Sequence, residues 1–254
     1  MIRVGRIVYG GGNTQIPSYP GFETIMVMTK SSKYGSLGPY VLCDEQERNM
    51  ENLWQFSKVY EKVPATVARK SRFDNTIIWN HKAETHVDGK GEEVSLLPEY
   101  WAWRQKGMNA PHPIRYPVGF NHRHKCLFAI PLDASPLTAL QKLDYVQSRK
   151  AIYLPLFCRL VTTQPQFATL LDKLNNGENL LIVEVDGPHE ESLEYYQRTY
   201  GTGPNFIENN TILVNQRNMQ IMLNDSKHPF GHGYCLAMAL LGVDQNPAWL
   251  SAPL

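Results

Sequence analysis

Residues 49–60 place three hydrogen-bonding side chains along one narrow stripe of an otherwise apolar helix. At about 100° per residue, the side chains of Glu51, Gln55 and Lys58 fall within about 60° of one another. Aromatic and aliphatic side chains cover most of the remaining circumference, and a helix of that kind is usually buried. Burying a charge without a partner is costly, so the stripe is either an internal ion pair or the wall of a cavity. The pattern alone leaves both interpretations open.

The predicted helix begins after a capping residue and ends before a proline. Asp44 or Asn49 supplies the side-chain oxygen that accepts hydrogen bonds from the first backbone N–H groups of the helix. We expect the helix to extend to about Val63, because Pro64 disfavours the helical conformation in the residue before it. On this prediction the whole stripe lies on one helix.

Composition excludes several classes of protein. The chain of 254 residues is 43% apolar and 19% charged, which is ordinary for a domain with a substantial core. A formal charge of +1 gives no bulk attraction to nucleic acid or to acidic membranes, although it is compatible with a local basic patch. No apolar run approaches the roughly 18 residues of a transmembrane helix, so no membrane partner is expected. The four cysteines form no Cys-x-x-Cys pair, which favours reduced thiols in a cytoplasmic protein.

Apolar runs and helical periodicities alternate loosely along the chain. Strands are predicted over residues 2–9, 23–29, 40–43, 126–131, 180–187 and 210–215. Helices are predicted over residues 99–107, 138–157 with an interruption near Pro155, 165–175, 192–199 and 234–241. This order fits an α+β fold better than a doubly wound sheet. We therefore expect a single α+β domain over residues 1–254, mostly helical with a small mixed sheet.

Eight histidines raise the question of a metal site. His228 and His232 have His-x-x-x-His spacing, but Pro229 and the neighbouring glycines oppose a regular helix there. The glutamate of a zinc-peptidase motif is also missing. A polar turn before the final helix is the alternative, and the N–H groups at the start of that helix would hold a phosphate. Neither a metal nor another cofactor is expected.

The remaining candidates for catalysis are carboxylates and one amine, because the sequence contains neither Gly-x-Ser-x-Gly nor a Walker phosphate-binding loop. They are Glu51, Lys58, Glu184 and Asp186. A carboxylic acid can protonate a departing base, and a carboxylate can direct water or stabilise an oxocarbenium ion. A buried lysine with a lowered pKa can instead attack an opened sugar aldehyde and form an imine. These features suit cleavage of a sugar–nitrogen bond, and the pattern does not choose among the roles.

The series Glu51-x-x-x-Gln55-x-x-Lys58 on an aromatic-rich helix resembles the signature helix of the NADAR family, the YbiA-like N-glycosidases. Residues 156–184 resemble a second block of that family: a helix, a Pro-Gln-x-Phe-x-x-Leu-Leu helix, an Asn-Gly stop and a strand ending in Ile-Val-Glu. Here the strand ends at Glu184, and Asp186 follows where the family tends to place an acidic residue. Residues 65–125 look like a family-specific insertion.

The resemblance implies a NADAR-like fold and metal-independent hydrolysis of an N-glycosidic bond. The implied substrate is a phosphorylated ribosyl small molecule or an ADP-ribosylated nucleobase, free or within nucleic acid. By their positions in the motif, Lys58 and Glu51 would be catalytic, and Gln55 would line the pocket. Two other activities stay open: a module that binds ADP-ribose without turning it over, and an ADP-ribosyl or glycosyl transferase.

Further residues are candidates for substrate binding. Trp54 is expected to stack on a base. Arg115 and Arg123 are expected to contact phosphates, because a guanidinium fork suits them, and a surface salt bridge is the alternative for each. The turn with His228 and His232 completes the predicted site.

Overall fold

The computed structural model describes residues 1–10, 13–28, 31, 33–63, 69–70, 78–79, 84–89, 94–138 and 140–251. The strands are β1 Ile2–Arg6, β2 Val8–Gly10, β3 Asn13–Gln15, β4 Glu23–Met26, β5 Lys58–Tyr60, β6 Lys62–Val63, β7 Arg69–Lys70, β8 Ile78–Trp79, β9 Glu84–Thr85, β10 Val87–Asp88, β11 Ser95–Leu96, β12 Cys126–Ala129, β13 Leu180–Glu184 and β14 Thr211–Leu213. The helices are α1 Met50–Gln55, α2 Pro98–Met108, α3 Tyr145–Ser148, α4 Leu154–Val161, α5 Pro165–Asn175, α6 Leu193–Tyr200, α7 Gln216–Asn224, α8 His232–Leu241 and α9 Pro247–Ser251.

Contacts between residues divide the chain into two compact units. The first comprises residues 1–38 and 154–254, and the second comprises residues 39–153. Both contain helices and short strands, so the fold is α+β, as expected. Helical residues outnumber strand residues but make up less than half of the described chain, so the description "mostly helical" overstated their share. The predictions of a single domain and of an insertion at residues 65–125 stay predictions.

The first unit is built on a four-stranded sheet in the order β14-β1-β13-β4. Strands β1, β13 and β4 run parallel, with Ile182 opposite both Val4 and Ile25, and β14 pairs antiparallel with β1. Every residue of β13 is buried, which is typical of a parallel strand covered on both faces. The strand predicted over residues 180–187 is therefore confirmed, although it ends at Glu184.

The two faces of β13 have different neighbours. Leu181 and Val183 pack with Ile7 on one face. Because side chains alternate along a strand, Ile182 and Glu184 point to the other face. Helix α8 contacts β1 and β13 and is buried continuously from Gly233 to Leu240, as its apolar sequence predicts. A carboxylate is thereby carried into the core at the end of a buried strand.

The second unit has an aromatic core between α1, α2 and the β5–β12 pair. The rings of Phe56 and Trp103 lie 4.4 Å apart, and Gly107 in α2 packs so closely that an added Cβ would collide with the Phe56 ring. Strands β5 and β12 pair antiparallel, with Ala129 opposite Lys58.

Helix α1 ends at Gln55, so the prediction that it extends to about Val63 was wrong. Phe56 leaves the helical conformation at φ −89° and ψ 3°, and the Ser57 hydroxyl donates to the carbonyl of Trp54 at 2.8 Å. The following residues then pair with β12, and Val59 is fully buried in that pair. Long-range strand pairing, invisible in the local periodicity, overrides the helical pattern here.

Smaller differences from the predictions concern one short strand, the position of Pro155 and the lengths of three other strands. Residues 40–43 form no strand; only an isolated bridge joins Cys43 to Asn49. Pro155 does not interrupt a helix: it lies in the first turn of α4, directly after a π-helical segment over Arg149–Tyr153. Residues 23–29, 126–131 and 210–215 do contain strands, each shorter than predicted. No helix in the described ranges is long and apolar enough to cross a membrane.

Candidate functional site

Helix α1 fixes the first residues of the predicted stripe. The Asn49 side chain accepts a hydrogen bond from the backbone N–H of Glu51 at 3.0 Å, so Asn49 is the cap. The alternative, Asp44, instead closes the preceding turn by accepting from Arg48. Glu51 is 5% exposed, and its carboxylate lies in the first turn, where the helix dipole favours negative charge.

The three stripe residues do converge, although Lys58 extends from β5 and not from the helix. The Gln55 amide nitrogen donates to Oε1 of Glu51 at 2.8 Å, and the Lys58 ammonium donates to Oε1 of Gln55 at 3.0 Å. A single amide therefore links the carboxylate to the amine. The prediction that one helix carries all three was wrong, because α1 ends at Gln55, but the expected grouping of their side chains is present.

Burial controls the protonation of the amine. It lowers the pKa of Lys58, while the negative charge of Glu51 partly opposes the shift. The Lys58 nitrogen also lies 4.5 Å from the ring centre of Trp54, within the range of a cation–π contact. Trp54 is 9% exposed and packs 5.0 Å from the ring of Tyr153. Its expected stacking on a base stays a prediction.

Glu184 lies in the first unit, against the start of α8. Its Oε1 accepts from the backbone N–H of Gly233 at 2.9 Å, and Oε2 lies 3.2 Å from Nδ1 of His232. A Cβ on Gly231 would collide with this carboxyl group, and one on Gly233 would lie 2.7 Å from Oε1. The glycines of the turn therefore permit the close approach of an internal carboxyl group.

This arrangement contradicts the expectation of a phosphate at the start of the final helix. The N–H groups that would bind it already face Glu184, whose pKa they lower through hydrogen bonds. Burial and the neighbouring Asp186 outweigh that effect and raise the pKa of Glu184 well above its ordinary value. A helix N-terminus that already holds its own carboxyl group has no need of an external anion.

The position of the proton on His232 follows from its partners. Its Nε2 lies 2.8 Å from the carbonyl oxygen of Val27, which can only accept, so Nε2 carries a proton. Nδ1 of His232 lies 3.2 Å from Oε2 of Glu184, a distance at which a single proton can join the two atoms. The pair thus shares one proton inside the core.

The sequence analysis missed another buried carboxylate of the first unit, Asp225. Its oxygens accept from the hydroxyls of Tyr195 at 2.8 Å and Tyr196 at 2.7 Å, and from Nδ1 of His228 at 2.6 Å. Burial alone would raise the pKa of Asp225, but these hydrogen bonds and one from the Lys227 backbone hold it below its ordinary value. The signal in the sequence was Asp-x-x-His after a helix, which was considered only for its histidine.

The other predicted residues divide between the two units. Arg115 and Arg123 lie in the second unit, where their guanidinium carbons stand 5.0 Å and 3.6 Å from the ring centres of Tyr116 and Phe120. The other predicted residues of the first unit, Asp186 and His228, lie in the same unit as Glu184 and His232. Within the described ranges, no group of three or more His, Cys, Asp and Glu residues is arranged to hold a metal ion. One of the eight histidines, His81, lies outside those ranges.

The chain was compared with known protein families, with curated proteins and with solved structures. None of the three comparisons yields a match.

Proposed function

We propose that this chain is an N-glycosidase that hydrolyses the C–N glycosidic bond of a phosphorylated ribosyl compound, such as an ADP-ribosylated nucleobase. The observation that carries the proposal is the series Glu51–Gln55–Lys58, in which one amide holds a buried carboxylate and an amine of lowered pKa. The resemblance of this series to the NADAR signature, and a NADAR-like fold, belong to the same proposal.

The reaction assigns one role to each end of the series. As the bond from the anomeric carbon to nitrogen breaks, its electron pair passes to the departing nitrogen, and the Lys58 ammonium donates the proton that this nitrogen gains. Glu51 accepts a proton from the attacking water, whose oxygen bonds to the anomeric carbon, and its charge stabilises the oxocarbenium-like transition state. Proton exchange with solvent restores both groups, so the net change is one water consumed.

The lowered pKa of Lys58 supports its assignment as the proton donor. Burial destabilises the ammonium, which makes it a stronger acid toward the leaving group. The same burial favours a neutral amine that could attack an opened sugar aldehyde. Borohydride added during turnover separates the two mechanisms: an imine leaves a mass adduct on Lys58, and proton donation leaves none.

The test is a mass-spectrometric measurement of released base from ADP-ribosylated nucleobases and phosphoribosyl compounds. Glu51→Gln preserves an acceptor for Gln55 but removes the charge, and Lys58→Met preserves the length of the side chain without the amine. We expect each to lower kcat/KM by about a hundredfold or more, the usual contribution of a general acid or base. Lys33→Met, at an exposed lysine of the other unit, is the matched control.

The same variants discriminate between the rival functions. A binding module would show no released base from the unaltered protein and would retain ligand affinity in both variants. A transferase would yield the sugar on an acceptor in place of free ribose. Release of base that is equal in the unaltered protein, Glu51→Gln and Lys58→Met would disprove the proposed assignment.

A further inference from the structure

Positive charge is concentrated in one part of a nearly neutral chain. Residues 100–132 contain five lysines and arginines, three histidines and no Asp or Glu, whereas the whole chain has a formal charge of +1. Such segregation creates a local positive potential that the net charge conceals. It lies entirely within the second unit.

Only part of this charge serves the fold. Arg104 is 4% exposed and donates to the carbonyl oxygens of Pro131 and Leu132 at 2.6 Å and 3.1 Å, so it is a structural residue. By contrast, His124 and Lys125 are exposed.

Fully and partly exposed cations alternate with aromatic rings. One of them, Arg123, also donates to the carbonyl oxygen of Phe120 at 2.7 Å. The Arg123 guanidinium lies 3.6 Å from the ring centre of Phe120, which is 47% exposed. Phe120 meets the ring of Tyr116 edge to face at 5.2 Å, and the Arg115 guanidinium lies 5.0 Å from that second ring. We refer to Arg115, Tyr116, Phe120, Arg123, His124 and Lys125 as the basic–aromatic strip.

The strip is fixed at both ends to the elements that carry the proposed catalytic residues. At its start, the Asn52 side chain accepts from the backbone N–H of Ile114 at 2.7 Å and donates to the carbonyl oxygen of His112 at 2.9 Å. Asn52 belongs to α1 and directly follows Glu51. At its end, β12 pairs with β5, the strand that begins at Lys58.

We infer that the basic–aromatic strip binds single-stranded nucleic acid. The exposed ring of Phe120 and the partly exposed ring of Tyr116 offer surface on which unpaired bases stack, and the interleaved guanidinium groups bind the phosphates between them. This combination is typical of surfaces that follow a single strand without reading its sequence. The binding stands on the strip's own geometry, whereas the delivery of a base toward Glu51 and Lys58 rests on the proposed function.

The observations favour this partner over other polyanions. A duplex hides the faces of its bases, so Phe120 would gain nothing from it. An anionic membrane rewards buried apolar area, but Phe120 is the one large apolar side chain of the strip with more than a third of its surface exposed. An acidic peptide would pair with the cations and leave the rings unused.

The test measures fluorescence anisotropy of a labelled twelve-residue oligothymidylate titrated with the full chain, beside a duplex of equal length. We expect saturable binding of the single strand that weakens roughly twentyfold between 50 and 200 mM salt, as three phosphate contacts predict. Phe120→Ala should weaken binding about five- to a hundredfold through lost stacking. Arg123→Gln should weaken it and also make the salt slope shallower by about 0.7.

Matched substitutions in the first unit provide the controls. Tyr9→Ala removes a ring that is 53% exposed, and Arg217→Gln removes an exposed guanidinium; both should bind like the unaltered protein. Circular dichroism and thermal melting confirm that each variant is folded. Turnover of a mononucleotide substrate should be unchanged in Phe120→Ala, which separates failure of the strip from failure of the proposed glycosidase.

Three outcomes would overturn the inference. The oligothymidylate could fail to bind at 50 mM salt. Phe120→Ala and Arg123→Gln could both bind as tightly as the unaltered protein. The duplex, or vesicles rich in phosphatidylserine, could bind at least as tightly as the single strand, which would identify a backbone-reading or membrane surface instead.

Discussion

Two buried carboxyl groups, one in each unit, have contrasting partners. Glu51 lies in the first turn of its own short helix and is joined to the amine of Lys58 through the Gln55 side chain. Glu184 lies at the end of a buried strand and meets the backbone N–H of Gly233 and the ring of His232. The carboxylate of Glu51 has a side chain that can rotate, the Gln55 amide, among its partners, whereas Glu184 is held partly by the rigid start of a ten-residue helix.

The contrast distinguishes a group available for chemistry from one that holds the core together. A carboxyl group that satisfies backbone N–H groups in the interior cannot leave them without a cost of about 1–3 kcal/mol for each unpaired donor. The amide of Gln55 can exchange partners without exposing buried backbone. We therefore assign the proposed chemistry to Glu51 and Lys58 alone. This replaces the untested prediction that Glu184 and Asp186 are also catalytic.

Turnover should separate the two carboxyl groups most clearly. Glu51→Gln should lower kcat/KM about a hundredfold or more, whereas Glu184→Gln, which retains a hydrogen-bonding group at the same position, should stay within about threefold. Asp186→Asn should behave like Glu184→Gln. The measurement is initial rates of base release with melting temperatures of all three variants as the check on folding. A loss for Glu184→Gln equal to that for Glu51→Gln would end the distinction.

Adding one methyl group beside Glu184 should have the next largest effect. Gly231→Ala places a Cβ against the carboxyl group, so the turn or the strand must shift at a cost of about 1–3 kcal/mol or more. Gly203→Ala is the control, because nothing lies within 4 Å of its Cβ position; it should be neutral or slightly stabilising. Urea unfolding of both variants measures the difference. Equal midpoints would show that the turn before α8 is not tightly packed on Glu184.

The pH dependence of stability should identify the proton shared by Glu184 and His232. Burial raises the pKa of Glu184 in the folded state, so its contribution is complete below about pH 4.3, the ordinary value, and declines as pH rises through the raised value. Glu184→Gln removes that decline. Relative to the variant, the unaltered protein should therefore lose stability with rising pH, at no more than about 1.4 kcal/mol per pH unit. Parallel pH profiles would contradict the raised pKa.

Local patterns foretold the two regions unequally. The buried strand over residues 180–184 and the helices at 165–175 and 234–241 were found because continuous or periodic apolar residues are sufficient to define them. The end of α1 was predicted wrongly, because it depends on the pairing of Val59 with β12, whose residues lie about seventy positions away in the chain. The grouping of Glu51, Gln55 and Lys58 nevertheless survived, because a turn followed by a strand returns Lys58 to the same side as a helical turn would.

Sites built from distant residues were beyond the reach of such patterns. Glu184 and His232 are 48 positions apart in the sequence, and no periodicity links the end of a strand to the start of a helix. The same holds for Asp225, whose partners Tyr195 and Tyr196 precede it by a helix and a strand. Only the sheet order and the packing of α8 on β13 bring the first pair together.

The smallest expected effect is the pH dependence that Lys58 contributes. Its folded pKa is lowered by burial, so between that value and about 10.4, the ordinary value, the unfolded chain binds a proton that the folded chain lacks. The free energy of unfolding should therefore rise with pH across this window, whereas the contribution of Glu184 falls with rising pH. Lys58→Met removes the rise. Urea unfolding of the protein and the variant from pH 8 to 10.5 measures it, because the contributions of the other titrating groups cancel in the difference between the two profiles. The rise should be modest, because Glu51 and Gln55 both stabilise the ammonium. A difference that fell with pH would mean that Lys58 is a conventional ion-pair partner of Glu51, and the contrast between the two carboxyl groups would lose its chemical basis.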